Sequence, residues 1–177
     1  MATRSKPASK TSSTRSTHAS ATDAIALLKA DHAEVKKCFQ SYQKLVDAQA
    51  GASERRALAE QICMLLTVHA TIEEEIFYPA ARVALGDEAD LIDEADVEHA
   101  SAKALIAQIQ SMQPDDDHYD AKLKVLGEYI DHHVGEEQDE IFPKLKKAGM
   151  DTKSVGAALN ERKQALMAEM AEHAEAA

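Results

Sequence analysis

Two matching segments decide the fold: residues 69–79 read HATIEEEIFYP, and residues 133–143 read HVGEEQDEIFP. In each segment a histidine is followed by a glutamate four residues later and by a proline ten residues later. Residues four apart share one face of an α-helix, so one imidazole and one carboxylate can reach a common metal ion. Each segment therefore predicts a helix that carries a pair of metal ligands.

The proline of each segment permits two interpretations. Proline cannot donate the backbone hydrogen bond that a helix interior requires. Pro79 and Pro143 therefore predict either the end of a helix or a kink that adjusts the turn carrying the ligands.

Apolar residues recur every three to four positions through four segments, which is typical of amphipathic helices. Turn-forming residues separate these segments at 51–53, 86–87 and 114–116. Connections this short make neighbouring helices antiparallel. The sequence therefore predicts an all-α protein, with an up-down-up-down four-helix bundle over residues 23–148.

Two further segments flank this bundle. Residues 149–177 predict an additional C-terminal helix that packs on the bundle or extends from it, after a helix end at Gly149. Residues 1–22 are rich in Ser, Thr and Ala and contain four basic residues and no acidic one. This composition predicts a disordered basic tail, with weak phosphate contact or an organellar transit-like segment as alternatives.

The composition limits the classes of function. The 177 residues include 6 Gly, 4 Pro and no Trp, which favours helices over a β-sandwich. The net charge of −11 argues against a specific nucleic-acid partner. Cys38 and Cys63 lie in apolar helical patterns without metal-type spacing, which predicts core packing and a cytoplasmic setting. No apolar run predicts a membrane span, so we expect a soluble protein, and its oligomeric state stays open.

The apolar stripes are interrupted near their middles, and only by histidine and glutamate. Ligand candidates on neighbouring helices lie at nearly equal distances from the turn between them, although His99 and His133 differ by roughly 6 Å, one helical turn. Breaking a buried ion pair costs about 3–5 kcal/mol, so such groups persist by pairing or by binding metal. Six side chains are expected to converge on one layer of the bundle: His32, His69, Glu73, His99, His133 and Glu137.

This set of donors indicates a binuclear centre. Four imidazoles and two carboxylates exceed a closed tetrahedral zinc site, and no thiolate is included. If Glu73 and Glu137 each bridge two ions, each ion receives two nitrogen and two oxygen ligands and keeps two open positions. Such a centre favours iron, and manganese less, for redox or small-molecule chemistry.

Four segments resemble the hemerythrin-like, or HHE cation-binding, domain family: DHAEVKKCF at 31–39, HATIEEEIFYP at 69–79, EHASAKALI at 98–106 and DHHVGEEQDEIFP at 131–143. The resemblance covers residues 24–147. It implies a four-helix bundle with a non-haem, carboxylate-bridged centre of two iron ions held by the six side chains. Lys103 stands where the oxygen-carrying hemerythrins have a further histidine, so reversible oxygen carriage is not implied.

The resemblance implies a protein that binds or reacts with O₂, NO or peroxide, in oxidative or nitrosative stress or in oxygen or iron sensing. An alternative is an iron-binding sensor or store, without catalysis, whose metal occupancy controls folding. A metal-free helical interaction module would leave six buried ionisable groups unexplained.

The residues beside the six candidates are expected to have other roles. His132 points about 100° away from His133, which predicts a position at the surface or beside the ligands. The charge runs that include Glu74 and Glu75 predict solvated faces. Tyr42 is expected in the core, with an alternative as a hydrogen-bond donor near the metals.

Overall fold

The computed structural model describes residues 23–176. Helix α1 spans Ala24–Asp47, α2 spans Ala52–Ile72, α3 spans Tyr78–Leu85, α4 spans Asp90–Gln110, α5 spans Tyr119–Glu136, α6 spans Phe142–Ala148 and α7 spans Thr152–Ala176. A π turn at Glu73–Phe77 joins α2 to α3, and a second π turn at Glu137–Ile141 joins α5 to α6. Each joined pair is one continuous helix, because the residues at both junctions keep right-handed helical angles. The described residues thus form the expected four-helix bundle with one additional C-terminal helix.

The ends of the helices follow from local chemistry. The Asp23 carboxylate accepts a hydrogen bond from the Ala26 backbone N–H and so caps α1. Gly149 ends α6 in the left-handed region, at φ 77°, as the sequence predicts. The Met150 N–H then donates to the Leu145 carbonyl at 3.2 Å, which closes the last turn of α6. These short connections let α1, α2, α4 and α5 run antiparallel to their chain neighbours.

Two apolar clusters fill the bundle, one on each side of a polar layer. On α1, Leu28 belongs to one cluster and Val35 to the other, and His32 lies between them. On α4, His99 lies in the same way between Ala95 and Ala102. The six predicted ionisable residues therefore form the boundary between two separate apolar cores.

Helix α7 packs against one of these cores. Leu159 is fully buried and Leu166 is 9% exposed, and both belong to the cluster that contains Leu28. Val155 and Met170 pack at its edge. The C-terminal helix therefore covers the end of the bundle where the chain enters α1.

The basic tail of residues 1–22 lies outside the described residues. Among the helices that are described, none is both long and apolar enough to cross a membrane.

Candidate metal centre

The structure brings all six predicted side chains together in the layer between the two cores. They are buried: Glu73 and Glu137 are 0% exposed, and the four histidines are at most 7% exposed. The histidines form two pairs, in which the facing Nε2 atoms lie 3.0 Å apart for His32 and His69 and 3.1 Å apart for His99 and His133. The difference of one turn between His99 and His133 is thus absorbed before α5 begins, where His118 adopts a left-handed backbone.

The two carboxylates connect the histidine pairs. Glu73 Oε2 lies 3.1 Å from His69 Nε2 and 3.4 Å from His99 Nε2. Glu137 Oε2 lies 3.2 Å from His32 Nε2 and 3.8 Å from His133 Nε2. Each carboxylate therefore reaches one imidazole of each pair, as a bridging ligand requires.

Both glutamates begin π turns, which explains the role of the two prolines. The Tyr78 N–H bonds to the carbonyl of Glu73, five residues back, and Phe142 bonds to Glu137 in the same way. Proline follows each of these donors, and its ring would collide with the carbonyl four residues back in a regular α-helix. The wider turn accommodates the ring. Of the two interpretations, the adjusted turn is confirmed, and neither proline ends a helix.

The electrostatics of the layer are governed by the buried carboxylates. Burial disfavours a charged imidazole, but Glu73 and Asp31 outweigh it and raise the pKa of His69 to about 10. Burial likewise opposes ionisation of Glu73, yet His69 and His99 hold the pKa of this carboxyl well below its usual range. The buried Glu73 carboxylate is therefore ionised only because positively charged imidazoles lie beside it.

Several buried atoms in this layer fit a bound metal. Both oxygens of Glu73 and Oε2 of Glu137 have no hydrogen-bond partner within the described part of the chain. Orphaned buried acceptors of this kind are costly unless a cation satisfies them. Two groups of side chains can each offer ligand atoms within 4.8 Å of one another: His32, His69, Glu73 and Glu137, and Glu73, His99 and His133. The donors therefore fit two ions that share a carboxylate.

The Nδ1 atoms of the histidines, which point away from the centre and are called the outward nitrogens, have partners that the apolar stripes did not predict. His133 Nδ1 lies 2.7 Å from Glu98, and His99 Nδ1 lies 3.0 Å from Glu74. The expectation that Glu74 only faces solvent is therefore wrong, because its carboxylate lies between His99 and Lys103. A signal was present in the sequence, since an acidic residue stands directly before His32 and His99 and directly after Glu73.

Tyr78 is the tyrosine beside the centre. Its hydroxyl donates to Glu137 Oε1 at 3.2 Å and lies 3.2 Å from His99 Nε2. Burial and the charges of Glu73 and Glu137 raise the pKa of Tyr78 well above its usual value, so the hydroxyl stays protonated. The alternative that placed Tyr42 here is wrong: its hydroxyl donates to Asp120 at 2.6 Å.

A small cavity of about 20 Å³ adjoins the centre. All four histidines line it, together with Lys103 and a ring of apolar side chains that are Val35, Leu66, Ala70, Ala102, Ile106, Ile130 and Val134. A space of roughly 10–15 Å³ holds one water molecule. The cavity therefore has room for one very small molecule in apolar surroundings.

His132 lies outside the centre, as its position on the helix predicts. Its side chain is 65% exposed, and its Nε2 lies 3.2 Å from Glu136 and 3.7 Å from Glu98. It therefore contributes to a group of ionisable residues at the surface.

Comparison with known proteins agrees with this architecture. A family model described as the hemerythrin HHE cation-binding domain matches residues 23–145. The chain therefore belongs to the hemerythrin HHE cation-binding domain family, and its buried histidines and glutamates fit a metal-binding helical domain.

Two individual proteins are similar to the chain. One is a DNA nickase of Nostoc sp. (strain PCC 7120), 28% identical over 122 residues, which are 68% of this chain and 32% of the nickase. The chain thus spans about a third of that protein's length. The other is the crystal structure of a hemerythrin HHE cation-binding domain-containing protein from Mycobacterium kansasii, with a TM-score of 0.68 and 20% identity. That match covers 84% of this chain and 89% of the other, and it supports the fold.

Proposed function

We propose that this protein binds two non-haem iron ions in the polar layer and uses them to bind or react with O₂, NO or peroxide. One observation carries the proposal: four imidazoles and two fully buried carboxylates converge from four helices, and three of the four carboxylate oxygens have no hydrogen-bond partner within the described residues. His32 and His69 would hold one ion and His99 and His133 the other, with Glu73 and Glu137 shared. Mixed nitrogen and oxygen donors favour iron, and manganese less.

Bound iron would supply open coordination positions and reversible redox chemistry. The chain itself sets the conditions around these positions. The cavity beside the centre measures only about 20 Å³ and has a largely apolar wall, so it favours a very small ligand. The Tyr78 hydroxyl holds Glu137 Oε1 in place by its hydrogen bond, and Phe142 stacks on the His32 ring at 6.2 Å. The ligand pairs are thus fixed before a small molecule arrives.

Metal analysis tests the first half of the proposal. The full chain, expressed with added iron and purified, is expected to contain about two iron ions per molecule. Zinc alone, or less than one metal ion per chain, would contradict the proposal.

Reactivity tests the second half. The iron-loaded protein is expected to consume peroxide, or to change its visible absorption with O₂ or NO, faster than the same concentration of free iron in the same buffer. The Leu66→Phe variant, which places a larger side chain in the cavity wall, is expected to slow the reaction at unchanged iron content. If the protein and free iron react at equal rates, the proposed reactivity is wrong and only the metal-binding half of the proposal stands.

A second function, an iron sensor or store, is supported by the same two buried carboxylates. Without a cation they face four imidazoles at close range, so metal occupancy is expected to stabilise the fold. This function predicts two bound ions and a metal-dependent melting temperature, but no reaction with peroxide above that of free iron.

A further inference from the structure

The two histidine pairs differ in what their outward nitrogens contact. In the pair on α4 and α5, both Nδ1 atoms lie within hydrogen-bond distance of a carboxylate: His99 with Glu74 at 3.0 Å, and His133 with Glu98 at 2.7 Å. In the pair on α1 and α2, His69 Nδ1 lies 3.5 Å from Asp31. The fourth histidine, His32, meets the side-chain amide of Gln138 at 3.2 Å.

The repeat of the two ligand segments makes this difference specific. Glu74 and Gln138 occupy equivalent positions, each directly after a candidate bridging glutamate. Each reaches the outward nitrogen of a histidine on another helix. Glu74 is a charged acceptor, whereas Gln138 is a neutral amide. The two halves of the repeat therefore differ chemically at this position.

The acceptor matters because of the proton on the imidazole. A histidine that binds metal through Nε2 carries its proton on Nδ1 and donates it outward, and a carboxylate acceptor raises the basicity of the ligand. Hydrogen bonds to an ionised acceptor are roughly twice as strong as those between neutral groups. In the structure the amide nitrogen of Gln138 faces His32 Nδ1. When His32 binds metal through Nε2, only the amide oxygen of Gln138 can accept the Nδ1 proton, and it is a neutral acceptor.

The Asp31 carboxylate is a more distant partner for the first pair, at 3.5 Å from His69 Nδ1. Its Oδ1 pairs with Lys163 of α7, and its Oδ2 has no hydrogen-bond partner within the described residues. Glu74 is also shared with a lysine, Lys103, but it keeps its contact with His99 at 3.0 Å. The pair on α4 and α5 thus has two good anionic acceptors, and the pair on α1 and α2 has none at comparable distance.

From this asymmetry we infer that the two metal positions are unequal: the position of His99 and His133 fills first and holds its ion more tightly than the position of His32 and His69. The inference rests on the proposed binuclear centre. It assigns to Gln138 the role of a positioning residue that keeps one metal ion exchangeable.

Stepwise metal binding tests the inference. The metal-free full chain is titrated with Co²⁺ without oxygen, and bound metal is measured by equilibrium dialysis and by visible absorption. Partners of metal-bound histidines change affinity by about 10–100-fold, so two dissociation constants separated by at least about tenfold are expected. Gln138→Glu is expected to tighten the weaker constant by about 10–100-fold, and Glu74→Gln to weaken the tighter one by a similar factor.

Controls separate this result from other outcomes. Glu140→Gln changes an exposed glutamate of the second π turn and is expected to leave both constants unchanged. A single dissociation constant for both ions in the unmodified chain would overturn the inference. A Glu74→Gln variant that loosens the weaker constant alone would also overturn it, even if Gln138→Glu does not fold. A total of fewer than two ions would instead contradict the binuclear centre itself.

Discussion

At the scale of single residues, the centre depends on two buried glutamates, and three of their four carboxylate oxygens have no hydrogen-bond partner among the described residues. Glu73 and Glu137 are both 0% exposed, and each lies near one histidine of each pair. A bridging carboxylate contributes both charge and geometry, and the two can be separated because glutamine has nearly the same shape.

Glu73→Gln and Glu137→Gln are each expected to reduce metal content from two ions to one or fewer. The substitution removes one negative charge while it preserves size and helix propensity, so the effect reports on ligation and not on packing. Metal content is measured after loading with iron, together with visible absorption. Glu140→Gln serves as the matched exposed control. If it lowers metal content as much as Glu73→Gln does, the inner face has been assigned wrongly.

Tyr78→Phe tests the hydroxyl at the centre. Phenylalanine fits this position, because Phe142 occupies the equivalent site of the repeat. In the metal-free protein the change is expected to lower the free energy of unfolding by about 1.5–3 kcal/mol, since Glu137 Oε1 loses its donor. In the metal-loaded protein a smaller loss is expected. Urea unfolding of both forms measures the difference, with Tyr129→Phe on α5 as a control. No loss in the metal-free protein would show that the hydroxyl does not stabilise Glu137.

At the scale of helices, hydrophobic periodicity predicted the six inward residues because each replaces an apolar residue in a stripe. The partners of the outward nitrogens are determined by how neighbouring helices pack. Glu98 reaches His133, and Gln138 reaches His32, only because neighbouring helices adopt a particular rotation about their axes. The two π turns alter that rotation after Glu73 and Glu137. Single-helix patterns cannot specify such contacts between helices, although the repeated prolines indicate where the turns occur.

Asp23 links the beginnings of α1 and α7. Its carboxylate caps α1 at Ala26 and accepts a hydrogen bond from the Thr152 hydroxyl. The Thr152 hydrogen bond, which outweighs the opposing effect of burial, lowers the pKa of Asp23. Asp23→Ala is therefore expected to cost about 1–2 kcal/mol of stability near neutral pH, as lost helix caps do.

The pH dependence of this effect has a definite sign. A carboxyl with a lowered folded-state pKa stabilises the fold above its unfolded value of 3.8, and this contribution is lost as the pH falls through the folded value. The stability difference between the unmodified chain and Asp23→Ala is thus expected to stay constant from about pH 7 to about pH 5 and to shrink below about pH 4. Urea unfolding across this range measures it, with Asp117→Ala as an exposed control. A difference that grows toward acid would contradict the assignment.

At the scale of the whole molecule, the polar layer divides the bundle into two apolar cores. The cluster that contains Leu28 includes Leu159 of α7, whereas the cluster that contains Val35 includes Tyr119 at the start of α5. Among the described residues, the buried His, Asp and Glu side chains are these six and Asp31, and Asp31 contacts one of them. The centre therefore lies where all four helices of the bundle meet, between the two cores.

Removal of metal is therefore expected to lower the melting temperature of the whole chain. An ion present at 100 times its dissociation constant stabilises the folded state by about 2.7 kcal/mol. For a chain of this size each kcal/mol corresponds to about 2–4 °C, so one ion accounts for about 5–10 °C and two ions for more. Calorimetry before and after chelation, followed by addition of metal, measures the shift and its recovery. The Glu73→Gln variant is expected to respond less to chelation, and an unchanged melting temperature in the unmodified chain would show that the layer is stable without a cation.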